Sequence, residues 1–222
     1  MPIDIKICGL RDMHNLSVAL DAGADMVGFV FFPPSPRDIA PADARPLLEA
    51  ARGRAVCVAL VVDAGDALID EAVAAGIGML QLHGNETPAR VREIRTRTGL
   101  PVMKAVGVAA ADDLAALEAY IGVADRILLD AKPPKDATRP GGHGRAFDWR
   151  ILAKLDPALS FMLSGGLNPA NVGAAIAAVR PAGIDVSSGV ERAPGIKDEA
   201  LIRQFIANAR EASAAIEAKE RS

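Results

Sequence analysis

The sequence predicts a (β/α)8 barrel, in which one closed parallel sheet is surrounded by helices. Apolar, β-branched segments alternate strictly with helix-like segments along the chain, and this order is typical of a parallel sheet. The apolar segments run almost without polar interruption, as strands do when both of their faces are buried. About eight such units are present, and this number favours closure into a barrel over an open sheet.

Half of the 222 residues are apolar, which is enough for one large core, so we expect residues 1–222 to form a single barrel domain. The strands are predicted at residues 3–8, 26–31, 55–62, 79–83, 102–106, 126–130, 160–163 and 184–187. The helices are predicted at residues 13–22, 41–51, 67–75, 88–98, 111–121, 149–155, 169–179 and 199–218. Proline or aspartate often stands near the start of these helices and glycine near their end, which is the usual pattern of helix boundaries.

One long segment lacks the pattern of either element. Residues 133–144 (PPKDATRPGGHG) are rich in proline and glycine, and they follow the predicted sixth strand. Long irregular segments in compact domains commonly carry function. We therefore predict a mobile active-site loop at this place.

The composition argues against nucleic-acid and membrane partners. The 25 basic and 28 acidic residues leave a net charge of −3, and no basic block with interleaved aromatic residues is present. The apolar run 55–62 is far too short to cross a bilayer, and the first residues (MPID) lack the features of a secretory signal. The two cysteines form neither a disulfide framework nor a zinc-ligand pattern. We expect a cytoplasmic protein with reduced thiols and no metal.

A thiol and a carboxylate are predicted at equivalent strand ends. Cys8 closes the first strand directly before Gly9, and Asp130 closes the sixth strand after an Ile-Leu-Leu run. The carboxyl ends of barrel strands are where barrel enzymes hold their catalytic groups. Cys8 and Asp130 are therefore candidates for a general base and a general acid.

Two turns rich in hydroxyl groups and glycine follow the last two strands. Backbone N–H groups in such turns surround the phosphate of many barrel substrates. Either turn alone is better explained as a tight connection that needs glycine, but the pair on adjacent strands favours a phosphorylated substrate. The candidate phosphate-binding residues are Gly165, Gly166, Ser187, Ser188 and Gly189.

Two further side chains are candidates for substrate contacts. Arg37 lies in a stiff proline-rich loop after the second strand, where its guanidinium could bind a planar carboxylate; an ordinary surface arginine is the alternative. His83 ends the fourth strand at the same rim, and a structural, hydrogen-bonding histidine is the alternative there.

The remaining thiol and two strand lysines have simpler interpretations. Cys57 lies inside the third strand and is predicted to be an inert core thiol, in contrast to Cys8 at an open, polar strand end. Lys6 shares a face of the first strand with Cys8, and Lys104 lies in the fifth strand. Each lysine either lowers a thiol pKa or belongs to a layer of buried ion pairs, and we favour the second interpretation.

Taken together, these motifs resemble the phosphoribosylanthranilate isomerases of tryptophan biosynthesis over nearly the whole chain. Single motifs such as Ser-Gly-Gly occur in many phosphate-binding barrels, but cysteine on the first strand and aspartate on the sixth are specific to this family. His143 departs from the family pattern of threonine, serine or asparagine, which leaves the contacts of its loop open. The motifs are KICGL (6–10), SPR (35–37), QLHG (81–84), LDAK (129–132), GGHG (141–144), LSGGL (163–167) and DVSSGVE (185–191).

The resemblance implies an Amadori rearrangement of a phosphorylated aminosugar, with no cofactor. It implies that Asp130 protonates the ring oxygen of the sugar and that Cys8 removes the C2′ proton. It further implies that Arg37 binds the anthranilate carboxylate, that the two glycine turns bind the phosphate, and that Asp185 contacts the sugar. For this chemistry near neutral pH, the thiol pKa must fall from about 8.5 and the carboxyl pKa must rise from about 3.9.

Three alternatives stay open. Indole-forming barrels of the same pathway share the phosphate turns, but they need a catalytic lysine or paired carboxylates at strand ends. The related isomerase of histidine biosynthesis resembles this chain with aspartate in the place of Cys8. A non-catalytic phosphate-binding barrel is the third alternative, and an activity assay would exclude it. The alanine-rich helices are compatible with a monomer or a homodimer.

Overall fold

Eight parallel strands close into a barrel in the order of the sequence, as predicted. The structure is a computed structural model that describes residues 3–132, 148–156 and 159–220, so the predicted loop 133–144 lies outside the described residues. The barrel strands are β1 (Asp4–Cys8), β2 (Met26–Val30), β3 (Val56–Val61), β4 (Met79–Leu82), β5 (Val102–Val108), β6 (Arg126–Ala131), β7 (Met162–Leu163) and β8 (Gly183–Val186).

The barrel closes where the first strand pairs with the last. Lys6 of β1 is in register with Met26 of β2 on one side and with Asp185 of β8 on the other. Because all neighbouring strands are parallel, every strand ends at the same mouth of the barrel. Cys8, Asp130 and the turns after β7 and β8 are thereby brought to one end of the molecule.

Six α-helices cover the outside of the barrel in the part of the chain that the structure describes. Their starts follow the predicted signals: Asp12 accepts a hydrogen bond from the N–H of Asn15 before the first helix, and Thr87 caps the fourth in the same way. Left-handed glycines end two of them, at Gly76 and Gly99. The helices are α1 (Met13–Asp21), α2 (Pro41–Ala51), α3 (Asp66–Ala75), α4 (Pro88–Thr98), α5 (Val172–Val179) and α6 (Glu199–Glu220). No helix among the described residues is long and apolar enough to span a membrane.

Several predicted elements differ in the structure. The segments predicted as helices at 111–121 and 149–155 are 3₁₀ helices, Ala111–Tyr120 and Trp149–Lys154. β5 is two residues longer than predicted because its pairing with β6 continues to Val108. α5 begins three residues later than predicted, because Asn168 accepts the N–H groups of Ala170 and Asn171 in a preceding turn.

An antiparallel hairpin after β8 is not predicted by the sequence analysis. It consists of β9 (Glu191–Ala193) and β10 (Ile196–Lys197), joined through Gly195, which has a φ of +78°. The hairpin follows the Ser188–Val190 turn directly, so it lies beside the mouth of the barrel. Its strands are too short to give a recognisable alternation of apolar and polar residues.

The barrel interior is filled by a methionine-rich cluster below the mouth. Each member of this cluster lies two or four positions before a residue at the mouth, on the same face of its strand. Met162 precedes Ser164 in this way, and Leu128 precedes Asp130. A larger cluster between the sheet and the helices forms the rest of the core. The interior cluster consists of Met26, Val58, Met79, Met103, Ala105, Leu128 and Met162.

Candidate active site

Cys8 is the last residue of β1, and its side chain faces the barrel interior. It packs with Val30 and Leu60 in a small apolar cluster at the mouth. Gly28 provides the space for the thiol, because a Cβ at this position would lie 2.9 Å from Cys8 Sγ and 3.2 Å from Lys6 Cε. Cys8 is only 2% exposed. The predicted open, polar environment of the thiol is therefore wrong, because neighbouring strands cover it.

The charge nearest to the thiol along β1 is Lys6, which is fully buried on the same face of the strand. Lys6 Nζ donates to Asp185 Oδ1 at 2.9 Å, and Ser164 Oγ donates to Asp185 Oδ2 at 3.4 Å. Burial raises the pKa of the Cys8 thiol, and the positive charge of Lys6 only partly offsets this rise. The proposed chemistry requires a lowered pKa for the Cys8 thiol, and the structure does not show this fall. Asp185 lies inside the barrel mouth as the partner of Lys6.

Asp130 and His83 meet across the intervening strand β5. Asp130 is 5% exposed; its Oδ1 accepts the N–H of Ala131 at 2.8 Å, and its Oδ2 lies 3.2 Å from His83 Nε2. On β5 the interior face carries Ala105 and Gly107 at this level, and Gly107 is in register with Asp130. The small size of these two residues lets the imidazole of His83 reach the carboxyl group.

Gln81 extends this chain of contacts into the barrel. Its Nε2 lies 3.3 Å from Nδ1 of His83, and the residue is fully buried. The sequence assigns no role to Gln81, although this residue belongs to the QLHG motif (81–84). Period-two alternation from Met79 is the signal that places Gln81 and His83 on one interior face.

Arg37 is buried and paired with a carboxylate. It is 4% exposed, and its Nε and Nη2 donate to the two carboxylate oxygens of Glu191 at 2.7 and 2.8 Å. Its aliphatic stem packs on Gly9, where a Cβ would lie 2.7 Å from Arg37 Cδ. Gly9 has a φ of +79° and follows Cys8, so the stem of Arg37 packs on the turn directly after β1. The alternative of a surface arginine is wrong.

Lys197 of β10 is a site residue that the sequence analysis misses. Its Nζ donates to Glu191 Oε1 at 2.9 Å, to the Ser187 carbonyl at 2.9 Å and to Ser187 Oγ at 3.3 Å. Burial lowers the pKa of Lys197, and the charge of Glu191 only partly restores it. Burial would raise the pKa of Glu191, but Arg37 and Lys197 bring it below its ordinary value. No local signal marks Lys197, because the hairpin that buries it is itself not predicted.

The two predicted phosphate turns pack against each other. Gly165 and Gly166 have φ values of +85° and +66°, which favour glycine. Gly189 of the second turn lies so close to the carbonyl of Leu167 that an added Cβ would overlap it. Gly189 is therefore needed for the close approach of the two turns, which brings their backbones to one place at the mouth. Gly165 instead allows close approach to β6, where an added Cβ would overlap Ala131.

The serines of the second turn have different surroundings. Ser187 Oγ donates to the Cys8 carbonyl at 3.0 Å, so this hydroxyl joins the ends of β8 and β1. Ser188 is half-buried and begins the short 3₁₀ turn that leads into β9. Ser187 thus links the proposed phosphate site to the strand that carries Cys8.

Lys104 forms a buried ion pair and Cys57 lies in the core, as the sequence predicts. Lys104 Nζ donates to Glu86 Oε2 at 2.7 Å, and both side chains are buried between the sheet and the helices rather than inside the barrel. Cys57 Sγ lies 3.8 Å from the carbonyl of Leu48, and burial raises the pKa of its thiol to about 11. Neither residue faces the interior of the barrel.

Comparison with known proteins gives the family. The family model of N-(5′-phosphoribosyl)anthranilate (PRA) isomerase matches residues 5–208. The N-(5′-phosphoribosyl)anthranilate isomerase of Mesorhizobium japonicum is 58% identical over 206 residues, which are 92% of this chain and 94% of the relative. The crystal structure of phosphoribosyl anthranilate isomerase from Thermotoga maritima superposes with a TM-score of 0.85 and 41% sequence identity. The match covers 94% of this chain and 99% of the Thermotoga chain. A second structure, of such an isomerase in complex with reduced 1-(o-carboxyphenylamino)-1-deoxyribulose 5-phosphate, has a TM-score of 0.82 and 38% identity, with the same coverage. The chain therefore belongs to the N-(5′-phosphoribosyl)anthranilate isomerase family.

Proposed function

We propose that this chain catalyses the Amadori rearrangement of N-(5′-phosphoribosyl)anthranilate to 1-(2-carboxyphenylamino)-1-deoxy-D-ribulose 5-phosphate in tryptophan biosynthesis, with Cys8 as general base and Asp130 as general acid. One observation carries the proposal. Cys8 and Asp130 both face the interior at the same mouth, on strands separated by β7 and β8. A substrate between them meets the thiol and the carboxyl group from different sides, as the two proton transfers require.

The reaction moves protons and needs no cofactor. Asp130 gives a proton to the ring oxygen as the anilino nitrogen forms a C=N bond to C1′ and the C1′–O bond breaks. The open-chain product is a protonated Schiff base, which makes the proton on C2′ acidic. Cys8 removes that proton, and the resulting enaminol becomes the aminoketone by tautomerisation. Asp130 gives one proton and Cys8 takes one, so the isomerisation involves no net gain or loss of protons.

Cys8 needs positive charge nearby to act as a base, because burial raises the pKa of its thiol. Two cations of the protein, Lys6 and Lys197, each lower the thiol pKa. The protonated Schiff base supplies a third positive charge next to the carbon that reacts. The thiolate is therefore most favoured when the proton must be removed.

The substrate carboxylate binds at the cluster formed by Arg37, Glu191 and Lys197. Glu191 already neutralises one charge in this cluster, so the three side chains together carry one net positive charge while Lys197 is protonated. A single carboxylate matches that charge. Because Arg37 packs on Gly9 beside Cys8, a carboxylate held there places the anilino nitrogen and C1′ close to the thiol.

The phosphate and the sugar bind on the β7 and β8 side of the mouth. The phosphate is bound by the turns that contain Gly165, Gly166, Ser187, Ser188 and Gly189. Asp185 contacts a sugar hydroxyl while its other oxygen keeps the bond to Lys6. We further propose a cytoplasmic enzyme that folds as one barrel domain and acts as a monomer or homodimer.

The proposal is tested by incubating the purified protein with N-(5′-phosphoribosyl)anthranilate and following the loss of the substrate's fluorescence. A steady loss that depends on enzyme concentration supports it. Chemical breakdown of the substrate releases anthranilate, which must be measured in parallel as a control. Absence of turnover would favour the non-catalytic phosphate-binding barrel. Turnover of the histidine-pathway aminoaldose alone would favour the related isomerase.

A further inference from the structure

Gln81 is an unusual residue for its surroundings. It is fully buried on the interior face of β4, two residues after Met79 of the methionine-rich cluster. Its Oε1 is buried, and within the described part of the chain this oxygen has no hydrogen-bond partner. Burying an unpaired amide oxygen destabilises a fold, whereas a methionine of similar length would fill the same space without this cost. Packing and stability therefore do not explain an amide at this position.

Among the residues that the structure describes, the side chain of Gln81 makes one polar contact, to His83. The amide nitrogen lies 3.3 Å from His83 Nδ1, and an amide nitrogen can only donate a hydrogen bond. Nδ1 of His83 is then the acceptor, so a neutral imidazole carries its proton on Nε2. Nε2 is the atom that lies 3.2 Å from Asp130 Oδ2. The proton of His83 is thereby directed at the proposed general acid.

We propose that Gln81 is a positioning residue that holds His83 in its Nε2–H tautomer, so that His83 donates a hydrogen bond to Asp130. The inference rests on the proposed function in one respect, namely that Asp130 is the general acid. It also changes the role of His83, which acts on Asp130 rather than on the substrate directly.

The tautomer matters because Asp130 becomes a buried carboxylate when it gives up its proton. With His83 in the Nε2–H form, each oxygen of that carboxylate faces an N–H donor: Ala131 at Oδ1 and His83 at Oδ2. With the proton on Nδ1, the lone pair of Nε2 would face Oδ2 and repel the charge. Donation of the proton by Asp130 would then be unfavourable.

The test compares two substitutions of Gln81 of nearly equal size. Gln81→Met removes the donor and keeps the packing. Gln81→Glu replaces the donor with an acceptor, which favours the proton on Nδ1. Nitrogen-15 NMR of the imidazole rings distinguishes the two tautomers directly. The chain has three histidines, so spectra of the His14→Gln and His143→Asn variants assign the remaining signals to His83. Activity is measured as kcat and KM for the proposed substrate.

We expect the Nε2–H tautomer of His83 in the wild type, a mixture in Gln81→Met, and the Nδ1–H or doubly protonated ring in Gln81→Glu. We expect kcat to fall roughly 10- to 100-fold in Gln81→Met, by analogy with the range for partners that orient metal-bound histidines. KM should change little, because the amide acts on His83 and not on substrate binding. The melting temperature of Gln81→Met should equal or exceed that of the wild type.

The inference is overturned if His83 keeps the Nε2–H form in Gln81→Met, or if this variant changes the tautomer without lowering kcat. Failure of the proposed function has a different signature, because the wild type would then show no turnover, while NMR would still read the tautomer of His83. If only the assignment of Asp130 is wrong, Asp130→Asn retains turnover whatever the state of His83. Gln81→Met keeps the test valid if the buried charge of Gln81→Glu prevents folding.

Discussion

Lys6 Nζ and Asp185 Oδ1 lie 2.9 Å apart inside the barrel, although 179 residues separate them in the chain. Both side chains are nearly inaccessible, with 0% and 6% exposure. The pair joins the first strand to the last at the level just below Cys8. It therefore serves barrel closure and the electrostatics of the thiol at the same time.

Loss of one member of this pair should destabilise the protein strongly. Lys6→Met leaves Asp185 as an uncompensated buried charge, and we expect the free energy of unfolding to fall by about 3–5 kcal/mol. Urea unfolding measures the change. The double variant Lys6→Met/Asp185→Asn is the control, because it removes both charges and should recover much of the loss. A single variant as stable as the wild type would mean that the pair is not formed.

The two proposed proton-transfer groups should act on turnover. Cys8→Ala and Asp130→Asn should each lower kcat by roughly 10²–10⁴-fold, the usual contribution of positioned general acid–base catalysis. Steady-state kinetics on the purified variants measures this effect, and circular dichroism verifies that the barrel is intact. Cys57→Ala is the matched control for the thiol and should retain full activity. Near-wild-type turnover in either site variant would exclude that residue as a catalytic group.

Arg37 should act mainly on substrate binding. Arg37→Ala should weaken binding by about 2–3 kcal/mol, the range for a hydrogen bond to a charged group, and should raise KM more than it lowers kcat. Some loss of stability is also expected, because the buried carboxylate of Glu191 loses the guanidinium and keeps Lys197 and the N–H of Gly195. A product analogue without the aromatic carboxylate separates the two roles. If the variant loses the same affinity for both ligands, Arg37 supports the site without binding the carboxylate.

Alkylation should distinguish the two thiols, although both are buried. Cys8 and Cys57 are 2% and 7% exposed, so labelling by iodoacetamide should be slow in the native protein compared with the unfolded chain. Burial raises the pKa of both thiols, to about 11 for Cys57, but Lys6 and Lys197 oppose this rise at Cys8. Cys8 also lies at the mouth of the barrel, so we expect it to react first.

Mass mapping of the labelled peptides identifies the reacting thiol, with activity measured on the same samples. Activity should disappear in step with Cys8 labelling, and the reaction product should slow it. Labelling of Cys57 ahead of Cys8, or labelling of Cys8 with full activity, would contradict a catalytic thiol.

Local patterns in the sequence predict the barrel architecture and the strand ends that carry Cys8 and Asp130. Strand and helix order follow from local periodicity and from boundary residues such as Thr87 and Gly99, which act within a few residues of the chain. The position of Cys8 and Asp130 at strand ends follows from the same local pattern, because parallel strands of a barrel end at one mouth. These features needed no knowledge of distant contacts.

Which groups face each other, and how far water reaches them, depends on contacts between distant parts of the chain. Arg37 meets Glu191 across 154 residues, and Lys197 joins them from a hairpin with no sequence signal. Burial of Cys8 and the contact of His83 with Asp130 across β5 depend on small neighbours on other strands. Hydrogen-bond partners and desolvation are set by residues that are distant in sequence, and the pKa of a thiol follows from both.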